Sequence, residues 1–467
     1  MPPRLFRKKT ISELISQSES AKYRLKKVLG VMDLILFGIG STIGAGIFVL
    51  SGIAAHQHAG PGVVLSFAIS SIACAFAALC YAEFATVIPL SGSVYTYSYA
   101  VIGELMAWII GWDLILEYGV GAGTVAIGWS GYLTNLLQGV GLRLPLWASC
   151  SLTTGHGGIV NLPAVLIILF VTAFLIIGIR ESSIFNMVMV GVKLTVIFLV
   201  IGAGSFWVQS ENWKPIAPFG WFGVLNGASL VFFAYIGFDA LTTIAEETRH
   251  PQRDLPIGLL SSLGICTAIY IGVSLVLTGM VYYKDIDIHA PLAHACGRVG
   301  LNWLSPIVAG GCVIGLTSVL LGLLLGQSRI FFAMSRDGLL PGLFSRVHPR
   351  FKTPYISSIL VGIAVATAAG LLPIETVAHL CNIGTLFAFI LVSISVIILR
   401  QKRPELHRPF RCPFVPVIPI LSIIFCLFLM AGLPVGAWIR FGIWLVIGII
   451  IYFLYGFRRK LRVEGGK

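Results

Sequence analysis

Apolar residues run through this chain in long blocks separated by short polar connections, without the strict alternation of half-buried strands. The blocks lie near 31–54, 63–88, 101–137, 159–179, 184–207, 220–245, 256–283, 304–333, 354–372, 375–399, 414–433 and 436–457. Nearly all reach the roughly 20 residues a helix needs to cross a bilayer. The pattern therefore predicts an all-α membrane protein with twelve transmembrane helices. Several blocks exceed roughly 25 residues, which predicts tilt or extension beyond the hydrocarbon. The largest connections, near 138–160 and 284–303, are too short for a folded module. One membrane domain is predicted: a basic arm over 1–30, a core of spans 1–10 over 31–400, spans 11–12 over 401–457, and a tail over 458–467.

Two spans carry polar or glycine-rich interruptions that an anchoring helix does not need. Span 1 reads Gly38-Ile39-Gly40-Ser41-Thr42-Ile43-Gly44-Ala45-Gly46-Ile47-Phe48. Glycine lowers the barrier to unwinding, and unwound backbone at membrane depth is tolerated only where protein or a water-filled cavity satisfies it. Span 6 reads Phe232-Phe233-Ala234-Tyr235-Ile236-Gly237-Phe238-Asp239, a weaker break made of one glycine and one carboxylate. Gly40 and Gly44 also satisfy the small-xxx-small spacing of close helix packing, so glycine content alone leaves both readings open. Position favours the break, because spans 1 and 6 are five apart, the spacing of a five-plus-five inverted repeat with discontinuous helices 1 and 6. A helix broken at mid-membrane offers free N–H groups at the start of one half and free C=O groups at the end of the other. Those groups suit a carboxylate and an ammonium, the two charges of a zwitterionic amino acid.

Composition and charge then exclude alternatives. Hydrophobic residues make up 57% of the 467 and charged residues 11%, against roughly 25% charged in soluble domains. The net charge of +13 would suit nucleic acid, but sorting by loop removes that reading. With the N-terminus cytoplasmic, 26 of the 32 Lys and Arg fall on the inner side and five on the outer, and Lys193 lies inside a span. This is the positive-inside pattern, with both termini cytoplasmic. The first apolar block follows thirty largely polar residues and is too long for a signal h-region, so it is expected to remain as span 1. Within the arm, Thr10-Ile11-Ser12-Glu13 fits a capping box; a short amphipathic surface helix and an unstructured basic arm near anionic lipid both suit it. Most of the nine cysteines fall inside spans, while Cys150 and Cys296 share the outer side and could pair. No nucleophile–base pair, phosphate loop or metal cluster is apparent, so an enzyme, a metal site and a cofactor are not expected.

Six motifs carry a resemblance. GIGSTIGAGIF from Gly38, YAEFATVIPLSGSVYTYSY from Tyr81, FFAYIGFDA from Phe232 with AEETRHPQRDLP after it, SRDGLLP from Ser335 and NIGTLFAFILVSI from Asn382 stand in order at matching spans. From about Lys26 to about Phe457 the chain resembles the amino acid–polyamine–organocation superfamily and, within it, the cationic amino acid transporter family in its shorter, bacterial form. The resemblance implies that N–H groups of Ile43, Gly44, Ala45 and Gly46 meet the substrate carboxylate and that carbonyls of Phe233, Ala234 and Ile236 meet its ammonium. It implies that the substrate side chain points toward spans 3, 6, 8 and 10, where Leu323 tunes its size. Many bacterial members prefer neutral amino acids, and a large Leu323 would crowd a long cationic one.

Ionisable residues inside spans are functional candidates by default. Lys193 lies about ten residues into span 5, roughly 15 Å deep at 1.5 Å per residue, too deep to snorkel. In sodium-driven relatives a cation sits between spans 1 and 8, and the resemblance implies that a span 5 lysine replaces it in proton-coupled ones, so Lys193 couples protons or serves as a structural cation, or else is a permanently paired lysine. Asp113 and Glu117, four apart in span 3, share one helix face. Glu117 balances Lys193, gates a cavity, attracts a cationic side chain or is a packing carboxylate; Asp239 fixes the unwound segment or is likewise structural. Glu83, Glu246 and Glu247 are expected to pair with arginines such as Arg249 or Arg336, and His56 and His58 to be solvated. The expected function is secondary transport of amino acids across the cell (inner) membrane by alternating access, coupled to protons. Exchange and nutrient sensing on the same fold are the alternatives. The expected partners are amino acid, protons and membrane lipid, with no nucleic acid; oligomeric state is not legible.

Overall fold

The computed structural model of the chain describes residues 27, 29–88, 94–95, 98–99, 103–151, 158–177, 183–351 and 353–456, without the side chains of residues 183–186, 246, 333 and 336. The arm around Thr10–Glu13 and the tail 458–467 lie outside the described residues. The described residues build helices and no strand beyond an isolated bridge between Leu29 and Thr248. Lipid supplies no hydrogen bonds, so apolar blocks of this length must satisfy their backbone internally, which a helix does.

In chain order the helices are α1 (Val31–Thr42), α2 (Val63–Val87), α3 (Glu104–Gly139), α4 (Leu162–Ile177), α5 (Ser183–Ser205), α6 (Gly220–Val231), α7 (Pro251–Met280), α8 (Leu304–Arg336), α9 (Tyr355–Leu371), α10 (Ile374–Lys402), α11 (Val417–Ala431) and α12 (Val435–Ile451). Past α1 the chain breaks and resumes as a π-helical stretch from Gly46 that runs on toward α2; past α6 it continues as 3-10 turns over Phe232–Tyr235 and Phe238–Glu247. Among the described residues, eight helical segments are long and apolar enough to cross a membrane, and α1, α4, α9 and α11 are shorter apolar helices. The chain is a multi-pass membrane protein.

Helix α3 is the central post, packed against α8 and α10, while α7 packs against α1 and α2. Helix α12 leaves Val435, Ile439, Ile443 and Leu454 beyond its end exposed, a face suited to lipid. Its other face is clamped to α3 by indoles. Trp112 and Trp444 stack with centroids 4.4 Å apart. Trp112 Nε1 donates to Trp444 O at 2.9 Å and Trp444 Nε1 to Trp112 O at 3.2 Å. Trp108 Nε1 donates to Gly448 O at 2.9 Å.

The structure decides three readings of individual side chains. Cys150 and Cys296 are both free thiols. Cys296 is buried in the short helix Pro291–Arg298, where desolvation pushes the thiol up to about 11. Glu83 does pair with arginines, which are Arg400 and Arg408. Arg400 Nη2 and Nε donate to its two oxygens at 2.6 and 3.1 Å, Arg408 Nε stands 3.3 Å away, and Cys412 N donates at 2.9 Å. Arg408 in turn donates to the carbonyls of Leu399, Arg403, Pro404 and Leu406, closing the end of α10. His56 and His58 are half-buried rather than solvated, with His58 Nε2 3.9 Å from Glu375 Oε2.

Candidate substrate site

The two interruptions meet. Helix α1 ends at Thr42, Ile43 is extended at φ −73° and ψ 102°, and the first bond of the following segment runs from Phe48 N to Gly44 O at 3.3 Å. The N–H groups of Gly44, Ala45 and Gly46 therefore precede any helical bond of that half. Ile43 N is different, since it donates to Ile39 O at 2.9 Å and closes α1. In span 6, Ile236 is extended at φ −63° and ψ 133°, and Gly237 takes φ +112°, the left-handed region that glycine occupies without Cβ strain.

Contact between the breaks explains two of the glycines. A Cβ on Gly46 would lie 2.2 Å from Ala234 Cα, and one on Gly237 would lie 2.6 Å from Ser41 O. The segments touch backbone to backbone, leaving no room for any side chain there. A Cβ on Gly44 would meet only the Val319 side chain of α8, in ordinary van der Waals contact at 3.5 Å, so Gly44 has room for a methyl group but borders α8.

Side chains from neighbouring helices satisfy the freed carbonyls. Ser41 Oγ lies 2.9 Å from Gly237 O across the gap and equally close to Phe37 O of its own helix, so its one proton is shared between them. The Tyr270 hydroxyl of α7 lies 2.8 Å from Ala234 O and 3.1 Å from Thr42 O, so one proton tethers both breaks. Asn382 Nδ2 of α10 donates to Ser229 O and Leu230 O at 2.7 and 3.0 Å, capping α6. Phe233 O accepts Ile236 N at 3.2 Å. Phe233 O and Ala234 O are each engaged once, and a carbonyl oxygen has a second lone pair for an ammonium. Tyr270 carries no mark in the sequence beyond being a hydroxyl in an apolar block, which must find a partner when buried. Asn382 stands inside a quoted motif.

Leu323 projects between α3 and α10: a Cβ on Gly121 would lie 3.7 Å from Leu323 Cδ1 and 3.5 Å from Cys381 Sγ. Lys193 is 1% exposed, and its Nζ donates to Gly40 O of α1 at 2.8 Å. Its stem lies against α8, where a Cβ on Gly315 would stand 2.8 Å from Lys193 Cγ. The lysine thus occupies the junction of α1, α5 and α8. Glu117 sits apart from that junction, beside Asp239, Asp113 and the Thr385 hydroxyl. Asp239 is buried just past the break, and its Oδ1 has no hydrogen-bond partner among the described residues.

At one end of the bundle the broken segments are packed shut. Tyr132 OH donates to Phe48 O at 2.6 Å, and Cβ atoms on Gly52 and Gly131 would strike Pro291 and His289 O at 2.4 and 2.5 Å. At the other end, Leu29 N donates to Glu247 O at 3.0 Å and Arg249 N to Leu29 O at 2.9 Å, tying the chain before α1 to the end of the span 6 segment.

Residues 29–455 match the family model described as amino acid permease. The methylthioribose transporter of Bacillus subtilis (strain 168) is 48% identical over 457 residues, covering 98% of this chain and 99% of that one. The branched-chain amino acid permease BcaP of the same organism is 48% identical over 454 residues, covering 97% of each. The vacuolar cationic amino acid transporter 4 of Arabidopsis thaliana is 38% identical over 407 residues, covering 86% of this chain and 68% of that one.

Proposed function

The chain belongs to the amino acid permease family and is a transporter rather than an enzyme, and from that premise we propose that it carries neutral amino acids inward across the cell membrane, by alternating access and in symport with protons. The observation that carries this reading is the meeting of the two breaks at Gly46 and Ala234, with unbonded N–H groups of Gly44–Gly46 on one side and engageable carbonyls of Phe233, Ala234 and Ile236 on the other. Opposite partial charges a few ångströms apart match the α-carboxylate and α-ammonium and ignore the side chain. Leu323 and Cys381 then bound the side-chain space and favour a compact aliphatic group over a long cationic one. BcaP, by name a branched-chain permease, has the matching substrate class.

Proton coupling is assigned to Lys193. An ammonium held on Gly40 O bridges the first half of span 1 to α5 and α8, and losing its proton would weaken that bridge from a charge-assisted hydrogen bond to a neutral one. A proton site shifts the conformational equilibrium only through such unequal interactions. Twelve crossings, a five-plus-five inverted repeat and both termini in the cytoplasm complete the proposed topology.

A second reading rests on the methylthioribose transporter at the same 48% identity. Methylthioribose has neither carboxylate nor ammonium, so the dipolar site separates the readings. Uptake by proteoliposomes of leucine, valine, alanine, arginine and methylthioribose tests them together. Exchange is tested by repeating the uptake with and without internal amino acid.

A further inference from the structure

Lys193 shares the interior of the bundle with three buried carboxyl groups. Asp113 is 0% exposed, Glu117 2% and Asp239 1%. Asp113 and Glu117 lie one turn apart on α3. Asp113 presses against α10, where a Cβ on Gly384 would lie 2.6 Å from Asp113 Oδ1; only a glycine lets the carboxyl group reach that far. The same stretch of α10 supplies Thr385 beside Glu117 and Cys381 beside all three acids. Neither oxygen of Asp113 has a hydrogen-bond partner among the described residues.

The titratable groups beside Asp113 are Glu117 on its own helix and Cys381 on α10, and Asp239 and Tyr118 stand beside Glu117 in turn. Helices α4 and α9 contain no charged residue, the arginines of α8 are Arg329 and Arg336 near its end, and the one charged residue of α12 is Arg440. The nearby groups are therefore acids or neutral, and Lys193 is engaged on Gly40 O. A carboxylate cut off from water and from any donor costs several kcal/mol as an anion and takes up a proton instead.

We propose that Asp113 is a second proton-holding group of the transport cycle, protonated in this conformation and deprotonated when the α3–α10 junction meets water in the opposite one. The inference rests on the transport reading above. It predicts two coupled protons per amino acid, one linked to Lys193 and one to Asp113.

The test is the steady accumulation ratio of labelled leucine in proteoliposomes, with membrane potential clamped at zero and the outside one pH unit more acid. Each coupled proton contributes a factor of about ten per pH unit. The parent should reach about 100-fold and Asp113→Asn about tenfold, with counterflow at equal pH unchanged. A parent ratio of about tenfold, or an Asp113→Asn ratio equal to the parent's, overturns the proposal. A parent that transports leucine but ignores the gradient overturns proton symport as well, a separate and recognisable failure. Should Asp113→Asn lack counterflow, the parent answers by infrared spectroscopy with its aspartates carbon-13 labelled. A label-sensitive carboxylic-acid band that changes with pH and is missing from Asp113→Asn supports the proposal, and its absence from the parent or its persistence in the variant overturns it.

Discussion

Gly44 and Gly46 stand two residues apart in the same break and answer to different constraints. At Gly46 the constraint is packing, since Ala234 Cα would lie 2.2 Å from any Cβ, so even Gly46→Ala must force the broken segments apart. At Gly44 the nearest atom is Val319 at 3.5 Å, and the constraint is the space a carboxylate would fill. Gly44→Leu should therefore give a folded, monodisperse protein whose affinity for leucine falls by at least tenfold, about 1.4 kcal/mol. Near-parental affinity in binding assays would place the carboxylate elsewhere. Leu323→Ser removes the wall facing Gly121 and should raise uptake of longer or cationic substrates relative to alanine. An unchanged ranking across the uptake panel would place the side-chain pocket away from α8. The break in span 1 was legible from the glycine cluster together with its place five spans before the second interruption, since the glycines alone also fit close helix packing. The division of labour between the two glycines was not, since it depends on which helix lies opposite.

At the scale of elements, the breaks are held by partners far away in sequence. Tyr270 ties Ala234 O and Thr42 O together from α7, and Tyr270→Phe should cost about 0.5–1.5 kcal/mol. The loss should appear as a lower melting temperature in detergent that added leucine partly restores; an unchanged melting curve would mean that the tether carries no weight. Glu83 shows the same limit on sequence reading. Its need for an arginine was predictable from a carboxylate in an apolar block, but Arg400 and Arg408 are more than 300 positions away and the local sequence favoured Arg249 or Arg336. Glu83→Gln would leave Arg408 buried without its counter-charge and should destabilise the fold by about 3–5 kcal/mol, read as an earlier thermal transition. The block boundaries themselves were legible: predicted stretches such as 63–88 and 375–399 lie within one residue of Val63–Val87 or inside Ile374–Lys402. His58 was misjudged because its position at the end of a block gave no sign of the turn that brings it to Glu375 of α10.

For the whole molecule, the closed end around Tyr132, Pro291 and His289 and the tie between Leu29 and Glu247 mark where the two ends of the pathway would have to open. Lys193 joins α1, α5 and α8 at one point, and under the proposed function it would link these movements. Lys193→Ala should preserve counterflow at equal pH while lowering uphill accumulation at a fixed gradient. Accumulation as steep as the parent's would make the lysine a fixed structural cation. The depth of Lys193 was readable from its place in the block, whereas its partner was not: Gly40 O holds it, and Glu117 stands with the other acids. The most direct test of the account is uptake by purified protein in proteoliposomes, with and without an acid-outside pH gradient, of leucine and methylthioribose side by side. Leucine should accumulate above its external concentration only when the gradient is imposed, and methylthioribose should not compete with it. Uptake of methylthioribose with no uptake of leucine or any other amino acid would contradict the account.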